Sequence, residues 1–356
     1  MSVEFSVFLI GPTKGQANEA AVQKAILREA KLAEELGFDC IWLAEHHFDA
    51  NFSTIPSPNL LLAAISQVTE RIKIGNAINV LPFHHPLRIA EEGAMLDLLS
   101  NGRFQWGIGR GITGHEFDSF GVSASDSRKL FNEIHDAVID AWQTGQMTVD
   151  GEMITVPRTD IVPSVVQRPH PPVWVTAQSP DSVAWCAQHD YPAMQIGETL
   201  DRGREQLAHY RSSAVDAGVA TKRGGIVPSR QVFVAATDAE AIEGSAERLQ
   251  MFWDHAARTT APDHKSIMPE QQTRGYEYWQ RANPHQHKPL TLEQKAEAGL
   301  VLVGSPETVV RQVAAQIEAL DTSHIICDFW RSTSMENREA TMRLFAEEVM
   351  ARFKNN

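Results

Sequence analysis

The alternation of two hydrophobic periods most constrains the fold of this 356-residue chain. Short runs rich in β-branched and aromatic residues alternate with longer segments of helical period, the pattern of βα units around a mainly parallel sheet. A segment of helical period follows each run, and eight βα units close a barrel. We therefore predict an α/β fold, a TIM (β/α)8 barrel with insertions, formed by residues 1–356 as a single domain. The predicted strands are Val3 to Ile10, Asp39 to Ala44, Ile72 to Leu81, Arg103 to Gly109, Pro172 to Ala177, Ala193 to Gly197, Gln231 to Ala236 and His324 to Trp330.

One segment departs from the βα pattern. Residues Thr259 to Pro289 are rich in Pro, Gln, His and Lys, and they show little apolar periodicity. The segment is too long for an ordinary βα loop. We predict a mobile insertion at about 259–289 that closes over the active face. Elsewhere a small hairpin is predicted at Met147 to Val156, and the main helices at Glu19 to Leu36, Asn59 to Glu70, Leu87 to Leu99, Ala124 to Thr144 and Met335 to Arg352.

Charge and cysteine content exclude several classes of partner. The 45 acidic and 32 basic residues give a formal charge of −13, and no Lys/Arg cluster suggests binding to nucleic acid or to an anionic membrane. No apolar run reaches membrane-spanning length, and the first eleven residues read as a strand rather than a signal peptide. Cys40, Cys186 and Cys327 are far apart and odd in number, which suits a reducing compartment. We expect a cytoplasmic protein.

Polar residues follow several of the predicted strands, at the end where a barrel holds its chemistry. Glu45, His46 and His47 come directly after the second strand, and Arg110 lies between two glycines after the fourth. A guanidinium beside glycine can hold a phosphate in bidentate fashion. Ser179 and Ser182 open a helix, whose free amides and hydroxyls suit an anion. Asn79 and Gln178 would lie at the same mouth, and Arg128, near the start of another helix, could reach the same phosphate.

Structural interpretations of these residues stay open at this stage. Arg110 could form a rim ion pair with Glu45, and the two serines could be plain helix N-caps. Adjacent residues on a strand point in opposite directions, so one of His46 and His47 should be structural. A metal site needs three or four converging ligands, and the pairs His84-His85 and His285-x-His287 lack zinc spacing, so we expect no metal.

Several linked motifs, spread over nearly the whole chain, resemble the bacterial luciferase-like, flavin-dependent monooxygenases, and in particular the alkanal monooxygenase alpha chains. In chain order they are Gly37 to Phe48, Leu81 to Arg88, Leu96 to Phe104, Gly109-Arg110-Gly111 with Glu116-Phe117 and Phe120-Gly121, Ala177-Gln178-Ser179 with Trp185, Val303 to Glu307, and Met342 to Phe345.

The resemblance implies a TIM-like barrel that receives reduced FMN from a separate NAD(P)H-dependent flavin reductase, by diffusion or in a transient complex. It implies that O₂ then oxygenates a small apolar substrate, such as an aldehyde, a ketone or a terpene-like molecule, through a C4a-hydroperoxyflavin in a site that excludes water. It also implies a homodimer.

The same resemblance implies roles for single residues. His46 matches the active-site histidine and would act as general acid and base, because an imidazole exchanges protons near neutral pH. Glu45 beside it is a second catalytic candidate that could orient the ring. The residues implied to bind the cofactor are Arg110, Arg128, Ser179 and Ser182 at the phosphate, the cis pair Ala77 and Ile78 beneath the isoalloxazine ring, and Ala177 and Gln178 through the backbone.

Three positions depart from the family pattern, so light emission is not implied. Gly109 stands where the light-emitting members have cysteine, which we expect to enlarge the pocket beside the ring. Gln178 replaces an acidic residue, and Ile78 replaces the second alanine of the cis pair. Two other hypotheses remain: a deazaflavin (F420)-dependent oxidoreductase, which needs room for a longer polyglutamate tail, and a non-catalytic flavin-binding subunit, against which the retained His46 argues.

Overall fold

Eight parallel strands form a closed barrel in a computed structural model that describes residues 2–13, 18–246, 290–329 and 335–354. Each strand pairs with its neighbours around the ring, and the last strand pairs with the first. The predicted TIM barrel is therefore confirmed. The insertion predicted at 259–289 lies outside the described residues. The barrel strands, in ring order, are β1 (Glu4–Leu9), β2 (Cys40–Leu43), β3 (Lys73–Asn76), β5 (Phe104–Gly109), β8 (Val173–Thr176), β9 (Pro192–Ile196), β10 (Gly225–Val234) and β12 (His324–Asp328).

Helices cover the outside of the barrel and connect its strands. The hairpin predicted at Met147 to Val156 is present as antiparallel β6 (Gln146–Asp150) and β7 (Thr155–Asp160). The helices are α1 (Glu19–Glu35), α2 (Pro58–Val68), α3 (Pro86–Leu99), α4 (Gly114–Phe120), α5 (Ser127–Thr144), α6 (Pro180–Gln188), α7 (Leu200–Asp216), α8 (238–246), α9 (Leu292–Glu297), α10 (Pro306–Leu320), α11 (Met335–Leu344), a π-helical segment (Phe345–Met350) and α12 (Ala351–Lys354). None of the described helices is both long and apolar enough to cross a bilayer.

Three strands differ from the sequence prediction. The seventh is predicted from Gln231 to Ala236, but β10 begins six residues earlier, at Gly225, and it pairs within the ring through residues 225–231. The run predicted from Ile72 to Leu81 is interrupted after β3 by a cis peptide between Ala77 and Ile78, and it resumes as β4 (Asn79–Val80), which pairs with β5. The strand β11 (Val301–Gly304) was not predicted. It pairs with the far end of β10, outside the ring, because β10 is ten residues long and extends beyond its barrel neighbours.

Alternation along the strands separates the barrel interior from the layer of helices. Inside, Trp174 contacts Trp42 and His324, with ring centroids 5.1 and 5.0 Å apart. On β5, Trp106 instead contacts Trp142 of α5, with centroids 4.8 Å apart. Trp106 therefore faces the helices, so the residues next to it, Gln105 and Gly107, face inward.

The glycines of β5 allow a neighbouring segment to lie close to the strand. A Cβ at position 107 would be 1.8 Å from the backbone oxygen of Asn76, and a Cβ at position 109 would be 2.2 Å from Cδ1 of Ile78. The first contact is with backbone, which cannot move away, whereas the second is with the end of a side chain that can rotate. The two glycines therefore differ in what they tolerate.

Gly107→Ala is expected to destabilise the protein by about 3 kcal/mol or more, whereas Gly109→Ala should cost less than about 1 kcal/mol, because overpacking is costly only where the neighbour cannot yield. Urea unfolding of both variants measures the difference. Equal losses of unfolding free energy would show that the close approach of residues 76–78 to β5 is wrong.

Candidate active site

A buried carboxylate organises the rim of the barrel after β2. Glu45 is fully buried, and its oxygens accept hydrogen bonds from His84 (2.7 Å), His47 (3.2 Å), Asn79 (3.0 Å) and the Val80 backbone N–H (3.1 Å). These partners follow β2, form β4, and follow the short 3₁₀ turn Leu81–Phe83. One side chain thus connects three consecutive segments of the rim.

The protonation of this cluster follows from its contacts. Burial alone would raise the pKa of the Glu45 carboxyl, but the hydrogen bonds from His47, His84 and Asn79 outweigh it and lower that pKa to about 2. Burial opposes a charge on His84, yet the bond to Glu45 raises the pKa of His84. The Glu45 carboxylate is therefore charged at neutral pH, and it favours the protonated, positively charged form of His84.

His46 has a different partner from Glu45. Its Nδ1 lies 3.3 Å from Oε1 of Glu116 on α4, and the same oxygen accepts the backbone N–H of His47 at 2.8 Å. Burial raises the pKa of the Glu116 carboxyl, but the contact with His46 gives a net lowering. The His46 ring, a quarter exposed, also packs edge-on against Phe52. No described residue bonds Nε2 of His46, which leaves that nitrogen available to a ligand.

The residues that follow β2 therefore have partners that differ from those expected. Glu45 does not orient His46, because all of its hydrogen bonds go to other groups, and the rim ion pair between Glu45 and Arg110 is not formed. The rings of His46 and His47 contact different carboxylates, Glu116 and Glu45, and His47 is the buried one. Glu116 orients His46 instead.

Arg128, Ser179 and Ser182 come together at the start of α6. The Arg128 guanidinium donates to the Ser182 hydroxyl at 3.4 Å, and the two serine hydroxyls are 2.9 Å apart. Ser179 is also the N-cap of α6, accepting the Ser182 backbone N–H at 3.3 Å. Arg110 follows β5, which pairs with β8, the strand that leads into α6. A guanidinium, two hydroxyls and a helix N-terminus form a donor set that fits a phosphate group.

The space beside Gly109 is filled. We expected glycine here to enlarge the pocket, but the Ile78 side chain occupies the place that a side chain at 109 would take, with Cδ1 2.2 Å from its Cβ position. The expectation was wrong because the two departures from the family pattern compensate each other: the larger residue at 78 fills the volume given up at 109. The expected cis peptide between Ala77 and Ile78 is present.

The far side of the interior carries an unpaired amide. Arg230 of β10 bonds Gln316 of α10 at 3.1 Å and so faces the helices, which turns the next residue, Gln231, inward. Gln231 is 7% exposed, and both of its amide atoms lack a hydrogen-bond partner. It lies opposite Asp328, the last residue of β12. An unpaired buried amide is costly, so it marks a group suited to a ligand.

The sequence does not identify two residues of the site, Glu116 and His84. Glu116 belongs to a short helix far from His46 in sequence, and only its place after the Arg110-Gly111 turn hinted at the rim. His84 shows no such signal, because its spacing from other histidines does not fit a zinc site. Within the described part of the chain, no group of three or more His, Cys, Asp or Glu residues is arranged to hold a metal.

Residues 3–323 of the chain match the luciferase-like monooxygenase family. The alkanal monooxygenase alpha chain of Photorhabdus luminescens is 27% identical over 354 residues, which cover 98% of this chain and 97% of that protein. The crystal structure of the monooxygenase RslO1 from Streptomyces bottropensis is similar with a TM-score of 0.82 and 25% identity, over 98% of this chain and 99% of the other.

Two more distant structures share the fold. The oxygenating constituent of 3,6-diketocamphane monooxygenase from Pseudomonas putida, in complex with FMN, has a TM-score of 0.78 at 20% identity over 99% of both chains. The coenzyme F420-dependent tetrahydromethanopterin reductase of Methanopyrus kandleri has a TM-score of 0.73 at 18% identity, over 99% of this chain and all of that one. The fold thus occurs with more than one kind of flavin.

Glu45→Gln should reduce the unfolding free energy at pH 7 by about 3 kcal/mol, the contribution of a carboxyl whose pKa falls from 4.5 to about 2 on folding. Because the folded pKa is the lower one, this contribution is complete above pH 4.5 and is lost as the pH falls toward 2. Denaturant unfolding of both proteins at pH 7, 4 and 3 measures it. A stability difference that grows on acidification would contradict the assignment.

Proposed function

Because the chain belongs to the luciferase-like monooxygenase family, we propose that it is the FMN-dependent oxygenase component of a two-component system. The observation that carries the proposal is the cluster of Arg128, Ser179 and Ser182 at the start of α6, next to the strand end that bears Arg110. This donor set suits the terminal phosphate of a mononucleotide. Ala177 and Gln178 directly precede Ser179 in the chain, and we propose that they meet the cofactor through their backbone.

Reduced FMN, when bound, supplies the electrons that activate O₂ for transfer of one oxygen atom to the substrate. The protein binds and orients it: Arg110, Arg128 and the two serines hold the phosphate, and Ala77 with Ile78 supports the ring. Gln178 is already fixed, since its side-chain Nε2 donates to the Ile196 carbonyl at 3.0 Å and its backbone carbonyl accepts from Gln206 at 2.8 Å. The segment before the serines is therefore rigid before a ligand binds.

His46 is the group that moves a proton. Glu116 accepts from Nδ1, which fixes the tautomer and leaves Nε2 to take up or deliver a proton at the reacting oxygen. Glu116 is a positioning residue, because it acts on the substrate only through His46. Glu45 supports the rim through its bonds to His84 and Asn79 and takes no direct part in proton transfer.

The proposed substrate is a small, mainly apolar molecule with a carbonyl group, such as an aldehyde or a ketone. Apolar interior side chains, among them Phe8 and Trp42, exclude water. Gln231, also on the inner side, has a side-chain amide without a hydrogen-bond partner, and its N–H can donate to the carbonyl oxygen. We further propose a single-domain cytoplasmic homodimer that receives reduced FMN from a separate flavin reductase.

A deazaflavin-dependent hydride transfer is the second candidate, because an F420-dependent reductase shares the fold. The two functions differ in the cofactor bound and in the fate of O₂. Titration with FMN and with F420, followed by assay of oxygen uptake, separates them: tight binding of F420 with no oxygen uptake would favour the second.

Arg128→Ala should weaken FMN binding about 10- to 100-fold, the effect of losing a charge-assisted hydrogen bond. Riboflavin, which lacks the phosphate, should bind the variant and the unmodified protein equally. Quenching of flavin fluorescence gives both dissociation constants. Arg158→Ala, which removes the same charge from the exposed hairpin strand β7, is the matched control. Equal loss of FMN and riboflavin affinity, or no loss of either, would refute the phosphate assignment.

His46→Ala should slow oxygenation of an aldehyde or ketone about 100-fold, the scale of general acid and base catalysis, while leaving FMN affinity unchanged. Glu116→Gln should give a smaller loss and shift the pH profile, because the ring keeps its place but loses its charged partner. The exposed rim residue His85 serves as control through His85→Ala. An unchanged product rate in His46→Ala would exclude the proton-transfer role.

A further inference from the structure

A cavity of about 250 Å³ lies on the barrel face opposite the candidate active site, beside the amino-terminal ends of β8, β9 and β10. Active sites of such barrels lie at the carboxyl-terminal face, so this cavity is not part of the proposed oxygenation site. Its lining is unusual for a chain of net charge −13, because it contains Arg168, Arg223, His170 and His189.

The two arginines of this cavity, Arg168 and Arg223, are exposed and outnumber its one described acid, Asp190. Neither Arg168 nor Arg223 forms an ion pair with a carboxylate of a described residue. Asp190 is the one acidic residue of the lining, and its carboxylate is occupied by backbone N–H groups of Lys222 (3.0 Å), Arg223 (3.2 Å) and Gly224 (2.8 Å). These bonds hold the loop that carries Arg223 against the cavity. Two guanidinium groups thus remain available to a ligand.

His170 and His189 both use Nδ1 for a bond to a backbone carbonyl, so each can offer Nε2 to a ligand. Nδ1 of His170 donates to the Pro171 carbonyl at 2.8 Å, and Nδ1 of His189 donates to the Trp185 carbonyl at 2.8 Å. Each ring therefore keeps Nε2 free of this bond. The His189 ring is fixed further by stacking on Trp185, with centroids 4.1 Å apart. Burial, together with Arg223, lowers the pKa of His170, so an anion beside Arg223 would favour protonation of that ring.

We infer that this cavity is a binding site for a small oxyanion of the phosphate type. Arginine forks match the geometry of phosphate oxygens, and a volume of about 250 Å³ is at the small end of ligand sites. The site is separate from the Arg128 cluster. Helix α6 begins at that cluster and ends beside His189, and its nine residues span about 14 Å.

Titration with inorganic phosphate at low ionic strength, followed by phosphorus NMR and by the ring resonances of His170 and His189, tests the inference. The protein should bind phosphate in the millimolar range, and Arg168→Ala and Arg223→Ala should each weaken binding at least fivefold. Arg158→Ala is the matched control for charge and should have no effect. Arg128→Ala weakens the proposed site for the FMN phosphate, and phosphate should still bind in the cavity of this variant.

The outcomes separate this inference from the proposed function. Phosphate binding that disappears in Arg128→Ala but survives in Arg223→Ala would place the anion at the flavin site alone and overturn the inference. Equal effects of Arg158→Ala and Arg223→Ala would show nonspecific attraction and would overturn it too. FMN affinity should be unchanged in Arg223→Ala, and loss of FMN binding in that variant would overturn the separation of the two sites. Absence of FMN binding to the unmodified protein would count against the proposed function and leave the phosphate result intact. Circular dichroism verifies that the variants fold.

Discussion

The burial of a charged Glu45 is the constraint on which the rim of this barrel depends. A carboxylate removed from water must be compensated, and here His84, His47, Asn79 and the Val80 backbone compensate it. These bonds anchor β4 immediately after the cis peptide, and with it the Ile78 side chain beside Gly109. Glu45 therefore sets the position of the segment on which we place the flavin ring, although Glu45 is not one of the residues proposed to hold the ring.

Much of the fold was predictable, because buried parallel strands and amphipathic helices carry strong local signals. All eight barrel strands were anticipated, although β10 begins six residues before the predicted start at Gln231. The polar residues that follow the strands lie at one face. The break after β3 was not visible in the residue pattern, since the hydrophobic run from Ile72 to Leu81 continues through it. The strand β11 was missed because its partner is the overhanging end of β10, a property of register that sequence does not show.

The sequence indicated which residues form the site, but it indicated less well which of them bond to one another. Arg128 and Ser182 could be placed together because each lies near the start of a helix at the same rim. The assignment of Glu45 to His46 failed because neighbours on a strand diverge, and the true partner, Glu116, is seventy positions away. The contact between Ile78 and Gly109 likewise joins positions that are distant in sequence. Gly109 alone suggested a larger pocket, and only the structure shows that the Ile78 side chain fills the space.

A crystal structure of the protein with FMN tests the central claim most directly, namely that the rim binds a flavin mononucleotide by its phosphate. We predict the phosphate within hydrogen-bonding distance of the Arg128 guanidinium and the Ser182 hydroxyl, with the ring against Ala77 and Ile78. FMN bound with its phosphate remote from Arg128 and Ser182, or with its ring outside the barrel mouth, would contradict the account.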